Sequence, residues 1–274
     1  MKTILVFTDN TKASEHAARF ALIIAQSIQA NILLAATCKV KNSSAEMVLV
    51  GERSENMLVK DKWNCILEDT TGLNHDDGFR PELTEIDVSE NDENQLIQLI
   101  NQRHIWLIIK GMSNDLPKDI LSLNLNCILN RVQCPLLLVP ETWTLKSIER
   151  IVYLADLRYC RIKIVRFLEE LASPFKAEVS IANLAAKGLP HMADDYALSI
   201  FNDEVGHNAP YDRLLFNNIK ERNLEAAIDV IINGLHNDLL AIVNHRFHFE
   251  EILGRYISDQ LPAYITIPLF IFPY

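Results

Sequence analysis

The sequence predicts an α/β protein made of two five-stranded, doubly wound parallel sheets in tandem, and three observations carry that expectation. Short apolar runs alternate with amphipathic stretches along the whole chain, the pattern of parallel strands covered by helices on both faces. The opening run ILVFTD at residues 4–9 recurs as IVYLAD at 151–156, each ending in Asp. With 274 residues, 49% hydrophobic and 23% charged, the chain has apolar material for two medium domains and falls outside the disordered class.

The elements follow in order. After the first strand, Ala17, Phe20, Ala21, Ile24, Ala25 and Ile28 form a helical stripe; after its counterpart, Ile164, Leu168, Leu171, Ala172 and Phe175 do the same. NILLAAT (31–37) and AEVSIAN (177–183) are second strands, and PELTEID (81–87) and YDRLLFN (211–217) third strands. IWLIIK (105–110) pairs with LLAIVN (239–244), and CPLLLVP (134–140) with IPLFIFP (267–273), as fourth and fifth strands. Helices are expected at about 91–103, 117–132, 222–235 and 247–261, with Ser89 and Asp92 as a capping box for the first. The later pairs match at a shorter spacing than the early ones. The first half holds the extra residues in its polar 41–80 segment, where a helix within 43–72 is followed by the turn NHDDG.

The halves meet at ETWTLKS, giving expected domains 1–142 and 147–274. Two separate sheets are expected rather than one continuous sheet of ten strands. The final strands, apolar and flanked by Pro, should pair the halves as an internal pseudo-dimer, since an exposed apolar edge invites aggregation. A homodimer through another surface is compatible with this.

Composition excludes several function classes. The balance of 26 basic and 36 acidic residues, net −10, makes nucleic acid and anionic membrane poor partners. The start MKTILVFTDN is too short in apolar residues for a secretory leader, and no apolar run approaches a membrane span, so a cytoplasmic location is expected. Five cysteines without a CxxC pair indicate free thiols. Only 8 glycines occur, and GxGxxG, GKS/T, GxSxG and HExxH are all missing, which removes local support for dinucleotide, P-loop, hydrolase and zinc-protease chemistry.

In an open parallel sheet the ligand site lies beyond the carboxyl ends of the strands, where strand order reverses. Asp9 and Asp156 stand at that edge. Each is a candidate to hold a ribose hydroxyl or a metal, and equally a helix-start residue. The segments VFTDNTKASEHAARFALIIA (6–25), ANILLAAT, LIIKG (107–111) and CILNRVQCPLLLVP (127–140) resemble the universal stress protein family, here as two tandem copies. The resemblance implies a flavodoxin-like or Rossmann-like sheet in each half. It also implies a nucleotide loop after the fourth strand, in which three spaced glycines and a hydroxyl residue let amides converge on phosphate.

Here that loop is degenerate. Gly111 matches the first glycine, but Asn114 and Asn124 replace the second and third, and Leu125 replaces the hydroxyl residue. In the second half Asn244, Phe247 and Ile257 stand at the glycine positions, with Ser258 retained. The resemblance therefore implies a vestigial nucleotide-type site at Asp9, Gly111, Asn114 and Asn124. The expected function is stress-response activity through a protein or small-ligand partner, without catalysis or a cofactor. The alternative is an adenine-nucleotide sensor holding AMP or ATP weakly at Asp9 and Gly111. His245 and His248, in NHRFHFEE, are a candidate metal pair on one helix face, although no third ligand shows matching spacing.

Overall fold

A computed structural model describes residues 1–9, 11–36, 79–88, 93–113, 123–221, 223–258 and 260–274. The helix expected within 43–72, the Ser89–Asp92 cap and Asn114 lie outside these residues.

Ten described strands form the sheet. In the first half β1 (Thr3–Thr8), β2 (Asn31–Ala36), β3 (Leu83–Asp87), β4 (Leu107–Met112) and β5 (Leu136–Pro140) run parallel in the order β3-β2-β1-β4-β5. In the second half β6 (Arg150–Ala155), β7 (Glu178–Leu184), β8 (Leu214–Ile219), β9 (Leu239–Val243) and β10 (Leu269–Phe272) repeat it as β8-β7-β6-β9-β10. The described helices are α1 (Lys12–Ile28), α2 (Glu93–Gln102), α3 (Leu125–Leu129), α4 (Ile162–Ala172), α5 (Asp194–Ile200), α6 (Leu224–Asp229) and α7 (Phe247–Leu253). The strands flanking each switch point, such as β1, β4, β6 and β9, are buried on both faces, which is why they read as unbroken apolar runs.

One expectation is corrected. The halves do not form separate sheets: β10 pairs antiparallel with β5, placing Leu269 opposite Leu138 and Phe270 opposite Leu137, and the result is one continuous sheet. The strands that join them are those expected to pair. Backbone pairing of two terminal strands necessarily merges their sheets, and it leaves neither as an edge. Around this seam Phe167 of α4 stacks on Trp106 at 4.4 Å and packs edge-on against Phe272 at 5.3 Å. The Asn126 amide brackets the backbone of Ile257, accepting from its N–H at 2.9 Å and donating to its carbonyl at 3.4 Å. In the connecting segment Trp143 is buried edge-on against Phe20, so the linker is packed down.

Element ends shift where special backbone intervenes. The last helix, expected to reach residue 261, stops at Leu253 because Gly254 takes a positive φ of 76°. Of the helix expected at 117–132, the described part is α3 alone. Between β7 and β8 the chain forms α5, which continues as a π-helical turn at Phe201–Gly206.

Candidate functional site

The strand order reverses between β1 and β4 and again between β6 and β9, so the carboxyl ends of these strands define two switch points. At the first, β1 delivers Asp9 to the start of α1. Its Oδ1 accepts from the Thr11 backbone N–H at 3.0 Å and the Thr11 hydroxyl at 2.5 Å. Thr11 is the helix cap, accepting from the Ser14 N–H at 3.1 Å, so Asp9 braces the cap rather than forming it.

Gly111, near the end of β4, lies directly against this first turn. A β-carbon there would stand 2.1 Å from the Ala13 carbonyl oxygen and 2.8 Å from the Ser14 nitrogen, so only glycine lets strand and helix backbones approach this closely. Asn124 caps α3, its Oδ1 accepting from the Cys127 N–H at 3.1 Å. Its φ of −75° makes no demand for glycine. Asp9, Gly111 and Asn124 thus each have a local structural task.

The second switch point is built differently. Asp156, nearly fully buried, caps a 3-10 turn at Leu157–Tyr159. Its two oxygens take the Arg158 guanidinium as a fork, at 2.7 Å from Nε and 2.6 Å from Nη2, and Oδ2 also accepts from the Ala186 N–H at 3.0 Å. Burial pushes the Asp156 carboxyl upward, but the Arg158 and Ala186 hydrogen bonds outweigh it and hold the group below the usual carboxylate range. The acidic residue that could face a ligand is instead closed by its own neighbour.

Behind this pair, Tyr153 of β6, Tyr159, Arg246 and His248 line a cavity of about 20 Å³, the space of one water molecule. His248 is buried and its Nε2 donates to the Leu184 carbonyl at 3.0 Å. Burial lowers its pKa, against the Leu184 hydrogen bond and the Asp156 charge, so the ring is neutral near pH 7. Arg246, on the cavity wall, is held by aromatic neighbours: its guanidinium lies 4.2 Å over the Tyr274 ring and 5.8 Å over Tyr159, and its Nη2 donates to the Tyr274 hydroxyl at 2.6 Å.

His245 and His248 are not brought to a common point. The His245 ring lies 2.8 Å from Asn130 Oδ1, whereas His248 engages Leu184. Among the described residues no group of three or more His, Cys, Asp or Glu is placed to hold a metal, and no helix is long and apolar enough to cross a membrane. Cys134 and Cys160 are pushed up to about 12 by burial, which keeps them as unreactive thiols.

Sequence reasoning missed Tyr153, Arg158 and the Asn126 and Asn130 contacts between halves. A phenol inside the otherwise aliphatic strand IVYLA was the available signal, because a buried tyrosine hydroxyl normally needs a partner.

Comparison with known proteins agrees with this architecture. The sequence profile of the Universal stress protein family matches residues 1–140, a little over half of the chain. A universal stress protein from Archaeoglobus fulgidus has the same fold, with a TM-score of 0.59 and 10% identity, covering 98% of this chain and 97% of its own. A provisionally assigned universal stress protein from Pseudomonas aeruginosa UCBPP-PA14 follows at 0.55 and 13% identity, covering 99% and 93%. A functionally unknown protein from Pseudomonas aeruginosa PAO1 scores 0.50 at 13% identity, covering 99% and 92%. No curated protein matches the sequence.

Proposed function

Because the chain belongs to the universal stress protein family, we propose that it is a cytoplasmic stress-response protein that works by binding a protein or small-ligand partner, without catalysis and without ATP. On this reading residues 1–142 and 147–274 are two copies of the family domain, the second diverged, and the chain is its own pseudo-dimer. The repeated strand order on either side of the β5–β10 seam supports that arrangement.

The observation that carries the reading is the occupation of both switch points by the protein's own groups. In the first half Gly111 packs on α1, and Asn124 spends its side chain on a helix cap. In the second, Arg158 fills the Asp156 carboxylate. A triphosphate would have to displace these contacts, and a chain of net −10 offers nothing to offset the desolvation of three phosphates. The adenine-nucleotide alternative asks Asp9 to hold a ribose through a carboxylate that already accepts two hydrogen bonds from Thr11.

The test is calorimetry of the full chain with ATP and AMP, with and without magnesium, beside mass spectrometry of small molecules released from freshly purified protein. Heats at the level of dilution are expected. Tight, magnesium-dependent ATP binding that is lost in Asp9→Ala overturns the reading in favour of the nucleotide sensor.

A further inference from the structure

Two buried side-chain atoms that take no hydrogen bond from the protein, Arg246 Nε and His248 Nδ1, belong to residues lining one cavity, and the Tyr153 hydroxyl on the same wall faces the Arg161 backbone amide while its own O–H proton has no acceptor. They come from β6 and from the turn and helix after β9, so the strand order of the second half, not sequence proximity, assembles them. Buried polar groups left without a partner are costly, and their coincidence at one water-sized space marks a built site.

The chemistry of the three is complementary. The His248 Nε2 donates to the Leu184 carbonyl, so in the neutral ring Nδ1 carries a bare lone pair and can only accept. The Arg246 Nε can only donate, and the Tyr153 hydroxyl does either. The wall charges are engaged elsewhere: Asp156 is held by Arg158, and Arg246 lies over the Tyr274 and Tyr159 rings. An anion would meet the His248 lone pair and the Asp156 carboxylate, and a metal ion would meet the Arg246 guanidinium. A group that both donates and accepts, and carries no charge, satisfies all three.

We propose that the cavity lined by Arg246 is a binding site for one neutral hydroxyl oxygen, which donates to His248 Nδ1 and accepts from Arg246 Nε and the Tyr153 hydroxyl. A resident water supplies this chemistry, and so does an alcohol group of a larger molecule. The site stands on the geometry of the second half, and holds whether the chain's partner is a protein or a small molecule.

Atomic-resolution diffraction from the full chain, crystallised without alcohols, glycols or phosphate, tests it. One oxygen-sized peak is expected within hydrogen-bond reach of Tyr153 Oη, Arg246 Nε and His248 Nδ1. An isolated peak identifies water; a peak continuous with further density identifies a carried hydroxyl compound, which mass spectrometry of the denatured protein then weighs. His248→Leu, lacking the acceptor, should lose the peak. A cavity without density, a tetrahedral phosphate, an anomalous metal signal, or a peak unchanged in the variant overturns the proposal. The outcome is separable from the ATP measurement, which bears on the function reading alone.

Discussion

A single methyl group added at Gly111 should be among the most damaging small changes in the chain. The ideal β-carbon would sit 2.1 Å from the Ala13 carbonyl oxygen and 2.3 Å from its carbon. Non-bonded contacts involving carbon settle at about 3.5 Å, so the first turn of α1 must retreat from β4 by roughly 1 Å or more. Backbone atoms cannot rotate aside as a side chain would. The retreat also loosens Ala13, Ala17, Ala21 and Phe20, all buried on that helix. Overpacking costs about 1–3 kcal/mol and occasionally more, and a backbone clash belongs at the upper end, about 3 kcal/mol for Gly111→Ala. At about 2–4 °C per kcal/mol for chains near this size, the thermal midpoint should fall by roughly 6–12 °C. Circular dichroism melts of wild type and variant provide the assay. A midpoint unchanged to within 2 °C would refute the packing argument and return the glycine to a ligand-facing role.

Other outcomes follow from the same geometry. Phe270→Lys places an ammonium in a fully buried position between β5 and β9, and should cost at least the roughly 3–5 kcal/mol of a Phe truncation; unchanged melting with widely separated halves in X-ray scattering would refute the seam. Arg158→Met breaks a buried ion pair whose partly exposed arginine argues for the low end, about 3 kcal/mol at pH 7. Because the folded Asp156 pKa is depressed, the pair stabilises fully above the unfolded value of about 3.9 and progressively less as pH falls through the folded value. The deficit of Arg158→Met in urea unfolding should therefore shrink below about pH 4; a constant deficit from pH 7 to about pH 3 would contradict it. Full-chain calorimetry should give no ATP binding, and Asp9→Ala should leave the heats unchanged.

What the sequence made legible was the part governed by burial. Strands covered on both faces must be apolar throughout, so β1, β4, β6 and β9 could be read directly. The edge strand β8 is half-exposed and alternates weakly. The sequence pattern starts it at residue 211, but Tyr211 is an anchor before the strand, its hydroxyl donating to the Ala177 carbonyl at 2.7 Å, and β8 begins at Leu214. Helix α5 carries little sequence signal because its buried positions, Ala197 and then Phe201 and Val205 in the π-helical turn, lie in an otherwise exposed and acidic stretch. At the site, the Asp156–Arg158 pair was invisible because residues two apart do not face each other on a regular helix; the 3-10 turn brings them together. Tyr153 and His248 meet only through the crossover order of the sheet, which no local spacing encodes.

The two halves also differ in where the first helix begins. In the first half α1 starts at Lys12, soon after Asp9, and lies across β4 so closely that Gly111 admits no side chain. In the second half the chain spends Leu157–Tyr159 on its 3-10 turn, α4 starts only at Ile162, and the helix packs on β6 and β7. The place equivalent to Gly111 is taken by Asn244, almost fully buried. Its Nδ2 donates to Asn130 Oδ1 at 3.1 Å, across the seam to the end of α3, and the neighbouring His245 ring reaches the same oxygen. The position that in the first half packs strand against helix joins half to half in the second.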